Sequence, residues 1–132
     1  MTLIKWNDDL YSVQIEAIDQ HHKTLIGLIN QLHEAMLAGR GKDIMDGILH
    51  ELNDYTSYHF NAEEELMRKH SYPLNDYQFH KNEHDNFKVK LSELMEKYRN
   101  DERAISIDTF KFLKEWLLNH IQKVDNKISQ AI

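Results

Sequence analysis

Turn signals are what this chain lacks, and their scarcity decides what it can fold into. Over 132 residues there are four Gly and one Pro, so the backbone has few points at which it can reverse sharply. GRGK at 39–42, SYPL at 71–74 with the lone Pro73, and the polar run RNDERAIS at 99–106 separate four stretches of helical apolar periodicity. Helices stop at Gly and ahead of Pro, which predicts helices near 19–38, 42–70, 75–98 and 107–130. Short connections between long helices make neighbours antiparallel. The expected fold is all-α, an antiparallel up-down-up-down four-helix bundle with an N-terminal arm. It forms one domain over 1–132, with the arm at 1–18 and the bundle at 19–130.

Spacing along each helix then shows which side chains face the core. In the first, Ile18, Leu25, Ile29, Leu32 and Met36 set a register whose vacant member is His22, while His21 is rotated about 100° away. In the second, Ile48, Leu52, Tyr55, Ala62 and Leu66 leave His59 in the seam with Glu63 one turn on. The third runs Tyr77, His80, His84, Phe87, Leu91, Leu94 and Tyr98; in the fourth, Phe110, Leu113, Leu117 and Val124 leave His120 between them. Five of the nine histidines thus point inward. His21, His33, His50 and His70 fall outside the clearest register.

Composition removes several function classes. The formal charge is −6 and the cations are interspersed with carboxylates, so no basic stripe tracks a phosphate backbone and nucleic acid is not an expected partner. Cysteine is absent, which excludes disulfides and thiolate metal sites and leaves His, Asp and Glu as strong metal ligands. MTLIKWNDDL has no apolar signal region and no run reaches the length of a membrane span. The expectation is a cytoplasmic protein without membrane insertion, and a monomer.

Each local motif is weak alone. HKNEH at 80–84 and HFNAE at 59–63 each place two donors four residues apart on one helical face, but with nine His such pairs arise by chance. HIQKVD at 120–125 has a five-residue gap, about 140° of α-helical rotation, so Asp125 would reach a metal held by His120 only from the side. A single inward His is more often an ordinary core residue than a ligand. The combination is different. Five imidazoles and two carboxylates buried in one layer leave many polar atoms without partners unless an ion satisfies them together. Seven donors exceed one four-coordinate zinc and are too rich in nitrogen for calcium or magnesium. Two transition-metal ions bridged by the carboxylates fit the count.

The segments IDQHHKTL, YHFNAEE, HKNEH and WLLNHIQKVD, in this order and spacing, resemble the hemerythrin family, specifically its single-domain bacterial members, over about Trp6 to Asp125. The resemblance implies reversible O2 binding at a non-haem di-iron centre, with O2 as the ligand and an O2-consuming protein as a possible acceptor. Carried over position by position, it implies that His80, His84 and His120 hold one iron and His22 and His59 the other. Glu63 and Asp125 would bridge both, the two iron ions (Fe2+/Fe3+) sharing an oxo or hydroxo bridge and the two-His iron keeping an open position. The family's O2 pocket falls on Leu25, Phe60, Trp116, Leu117 and Ile121. Three positions depart from the family pattern: His21 stands where Gln is usual, Gln14 near a frequent Gly, and Ile128 at a frequent Tyr. None of the three is an implied ligand, and surface positions are expected for His21 and His70.

These readings make the chain an oxygen carrier, store or buffer and not an enzyme. The alternative is a di-iron enzyme, or a protein handling NO, peroxide or iron at the same centre. Di-iron enzymes of ferritin-like bundles use paired Glu-x-x-His motifs, and this chain contains none. A histidine phosphotransfer bundle would need an exposed reactive His, whereas the seams put the histidines inside.

Overall fold

The computed structural model of the chain describes residues 4–39, 42–99 and 107–131. The elements are α1 (Asp8–Tyr11), α2 (Glu16–Leu37), α3 (Lys42–Lys69), α4 (Leu74–Arg99), α5 (Ile107–Asn119), a π-helical segment (His120–Asp125) and α6 (Asn126–Ala131). The expected four-helix bundle is present, and the described residues contain no strand. The last long helix is not uniform. Its α-helical hydrogen bonding gives way over HIQKVD to the wider i→i+5 pattern and then resumes.

Helix ends follow local chemistry. Past α3, Ser71 adopts a left-handed φ of 53° and the Tyr72 amide donates to the Met67 carbonyl at 2.9 Å, closing the helix as a Schellman turn. Pro73 then accepts from the Tyr77 amide at 2.8 Å and so opens α4. After α2, Gly39 takes φ 62°, a conformation that costs glycine little; Arg40, Gly41 and most of RNDERAIS lie outside the described residues. The first long helix starts at Glu16, before the expected 19. The Asp19 carboxylate accepts from the Ser12 hydroxyl at 2.6 Å and the Val13 amide at 2.8 Å. That pair ties the arm to α2. Between them Gln14 is held at φ 60°, in the left-handed region.

The arm is an integral part of the bundle. Asn30 on α2 exchanges two hydrogen bonds with the backbone of Ile4, both 2.9 Å, Ile4 and Val13 are buried, and Lys23 lies over the Trp6 ring at 5.0 Å. Core residues come from the arm and all four long helices, among them Ile29, Leu32, Leu49, Leu52, Leu91 and Leu113. Ring contacts join the layers, with Phe87 stacked on Trp116 at 4.4 Å and His33 on Phe110 at 5.2 Å.

The α2 and α4 seams follow the expected register closely, whereas α3 does not. Leu49, Thr56, Phe60 and Met67 are buried there, while Ile48, Tyr55, Ala62 and Leu66 are only half-buried. Packing of α3 against both α2 and α4 widens its buried arc and turns it toward the direction between them. His59 and Glu63 remain inside because they lie in the overlap of the two registers.

Candidate metal centre

All seven implied ligands meet at one place in the bundle, and none exposes more than 2% of its surface. α2 supplies His22, α3 supplies His59 and Glu63, α4 supplies His80 and His84, and the π-helical segment supplies His120 and Asp125. The π-helix removes the difficulty posed by the five-residue gap. A turn hydrogen-bonded i→i+5 brings residues five apart over one another, and His120 Nε2 lies 2.9 Å from Asp125 Oδ1. Val124, expected in the seam on straight α-helical spacing, is half-buried while Asp125 is fully buried.

The donor atoms fall into two groups. Glu63, His80, His84, His120 and Asp125 offer ligand atoms within 4.8 Å of one another, and so do His22, His59, Glu63 and Asp125. The two carboxylates belong to both groups. Asp125 divides cleanly between them, Oδ1 facing His80 at 2.8 Å and His120 at 2.9 Å, Oδ2 facing His22 at 2.9 Å. Glu63 is less evenly placed: Oε1 is 3.1 Å from His84 and 3.3 Å from His59, and Oε2 is 3.8 Å from His22.

These short distances are not all hydrogen bonds. Among the described residues His22 Nε2, His80 Nε2, Glu63 Oε2 and both Asp125 oxygens have no partner in hydrogen-bonding geometry, although Asp125 lies within 2.9 Å of His22 and His80. These atoms are buried and crowded together without mutual hydrogen bonds, all within 4.8 Å of one another in each group. Buried polar atoms left so cost about 1–3 kcal/mol apiece, and cations held among them would satisfy them together. The donor set of imidazole with carboxylate suits first-row transition metals.

Two further carboxylates, not singled out in the sequence, stand behind the cluster. Glu64 Oε2 is 2.9 Å from His84 Nδ1, and Glu83 Oε1 is 3.4 Å from His120 Nδ1. Each holds the ring nitrogen facing away from the centre, which fixes tautomer and orientation and raises ligand basicity. Their signal lay in the motifs, as the residues following Glu63 in AEE and preceding His84 in NEH. Local spacing alone does not distinguish them from solvated surface charges.

Electrostatics follow from this packing. Burial would depress His22 and His120, but Asp125 and Glu63, together with Glu83 in the case of His120, carry them up to about 9 and about 10. His80 is raised over its burial cost by the same two carboxylates. His59 is pushed down to about 3, chiefly by burial. Burial also opposes ionisation of Glu63 and Asp125, yet the surrounding imidazoles hold both carboxyls well below the usual range.

The remaining histidines separate as follows. His50 and His70 are exposed, and His33 stacks on Phe110 away from the donor groups. His21 departs from the surface position expected for it: it is half-buried, and its Nδ1 lies 3.0 Å from Nδ1 of His59. Of the implied pocket residues, Leu25, Phe60, Leu117 and Ile121 are buried and Trp116 is half-buried, all within the main core. Phe60 stacks on His84 at 3.8 Å and Trp116 on His120 at 4.5 Å. Among the described residues no helix is long and apolar enough to cross a membrane.

Comparisons agree with the geometry. Residues 13–132 match the family model described as the hemerythrin HHE cation binding domain. A bacteriohemerythrin of Methylococcus capsulatus is 34% identical over 125 residues, 95% of this chain and 93% of that protein. A myohemerythrin of Theromyzon tessulatum is 29% identical over 91% of this chain and 87% of its own length. The crystal structure of a wild-type hemerythrin superposes with a TM-score of 0.90 at 32% identity, covering 98% of this chain and 97% of that one. A match over most of the length, with the buried donors where such a fold gathers them, establishes that the chain belongs to the hemerythrin family of HHE cation-binding domains.

Proposed function

We propose that the protein binds O2 reversibly at a pair of non-haem iron ions, as a carrier, store or buffer. His80, His84 and His120 would hold one ion and His22 and His59 the other, with Glu63 and Asp125 available to both. The observation that carries this reading is the unequal division of donors: two buried groups share both carboxylates, but one has three imidazoles and the other two. A metal held by the group with fewer protein donors would keep a coordination position for a ligand. When bound, the iron pair supplies the two electrons that O2 takes up on binding and gives back on release.

The protein's part is to hold, to orient and to keep dry. Phe60 and Trp116 lie flat against His84 and His120, so the rings cannot swing away from the donor positions. Leu25, Leu117 and Ile121 belong to the same core, and an apolar lining built from these five side chains would deny entry to water and to larger reductants. Names among the relatives, bacteriohemerythrin and myohemerythrin, support oxygen binding as the shared activity, and the absence of Glu-x-x-His from the sequence argues against a ferritin-like enzyme.

The test is to load metal-free protein anaerobically with Fe(II), admit air, then purge, while following iron content and the visible spectrum. Two irons per chain and a charge-transfer band that comes and goes with O2 are expected. His59→Ala should abolish the band and His33→Ala should leave it. Irreversible oxidation with turnover of an added reductant would turn the reading toward an enzyme, and failure to take up iron would end both.

A further inference from the structure

We propose that His21 is a positioning residue for the two-His metal position, accepting a hydrogen bond from His59 and thereby fixing the tautomer that His59 needs as a ligand. This rests on the preceding reading of His59 as a ligand. His59 Nε2 faces Glu63 at 3.3 Å, so that nitrogen must present a lone pair to an ion between them. The imidazole is neutral when it ligates, and its one proton is therefore on Nδ1. At 3.0 Å from that Nδ1 stands Nδ1 of His21. Two nitrogens at this separation cannot both carry hydrogens; His59 donates, His21 accepts, and the His21 proton resides on its Nε2.

The surroundings hold His21 to this task. Its ring meets Tyr55 edge-on at 5.9 Å and Tyr58 at 5.1 Å, and meets His59 itself nearly perpendicular at 5.1 Å, so three rings of α3 pack against it. The partner is also of a different kind from those in the other group. His84 and His120 are backed by the carboxylates of Glu64 and Glu83, whereas His59 is backed by a neutral ring. Among the described residues Nδ1 of His22 in the two-His group has no hydrogen-bond partner, and neither has Nδ1 of His80 in the other group. A carboxylate raises the basicity of the imidazole it holds, and a neutral acceptor does so less. Two of the three imidazoles at the three-His position are thus held by carboxylates, and the two-His position depends on the single His21–His59 bond.

Two variants separate hydrogen bonding from packing. His21→Gln keeps a side-chain acceptor and His21→Leu removes it. Co(II) added to the metal-free protein and followed by its visible bands should fill two positions in wild type, with His59→Ala identifying the weaker phase as the two-His position. In His21→Leu that phase should weaken about 10–100-fold, the usual cost of losing such a partner, while the tighter phase is unchanged and His21→Gln lies close to wild type. In zinc-loaded protein labelled with 15N histidine, a scalar coupling across the hydrogen bond should link Nδ1 of His59 to Nδ1 of His21. Equal affinities in wild type and His21→Leu, equal loss in Leu and Gln variants, or a His59 proton found on Nε2 would each overturn the proposal. Binding of two ions in all variants alike would leave the di-metal reading intact and refute only the role of His21, whereas fewer than two ions in wild type would remove the reading beneath it.

Discussion

Freed of metal, the protein should be most stable near pH 6.5 and should come apart as the solution is made alkaline. The reason is the imidazolium–carboxylate cluster. His22 and His120 hold their protons up to about 9 and about 10, because Asp125 and Glu63 outweigh their burial, and His80 is raised as well. In the unfolded chain these rings let go near 6.5. Between those values the native state binds protons that the unfolded state has released, so stability falls with rising pH at about 1.4 kcal/mol per unit for each one. Two retained protons give roughly 3 kcal/mol per unit, and two units approach the entire stability of a small domain. On the acid side the sign reverses. His59, held near 3 by burial, takes a proton only on unfolding, and stability declines below pH 6.5. Glu63 and Asp125, ionised far below their ordinary range, steepen the loss once the unfolded carboxylates begin to protonate. Urea unfolding followed by circular dichroism in a chelator, from pH 5 to 9, measures this curve. The Glu63→Gln variant should show a shallower alkaline limb, since one of the two anions holding His22 and His80 is gone. A free energy of unfolding that is flat or rising between pH 6.5 and 8.5 would refute the charge assignment.

Other outcomes can be checked more simply. Phe60→Ala, which removes a fully buried ring stacked on His84, should destabilise the protein by about 3–5 kcal/mol in chemical denaturation. Gln14→Gly should stabilise by about 1 kcal/mol, because Gln14 sits at φ 60°, where a side chain is strained and glycine is not. Glu64→Ala should weaken the tighter metal phase about 10–100-fold in a competition titration while leaving helix content unchanged, since it frees Nδ1 of His84.

What the sequence by itself determined is the part that depends on spacing within single helices. The scarcity of Gly and Pro set the number of helices, and the 3-and-4 rhythm aimed His22, His59, His80, His84 and His120 inward. Periodicity is a local property, so it survives without knowledge of neighbours. Where a helix has neighbours on two sides, as α3 does, the rhythm misplaced the centre of the buried arc by about one residue. Local rules also failed at HIQKVD, because nothing in those six residues announces a π-helix. That conformation is a departure from the common helix, and here it is what sets Asp125 beside His120, His80 and His22 at once. The same holds for Glu64, Glu83 and His21. Each lies next to a ligand in the chain yet bonds to a ring on another helix, Glu64 to His84, Glu83 to His120 and His21 to His59. Sequence fixes which way a side chain leaves its own helix; only the packing of one helix against the next decides what it meets there.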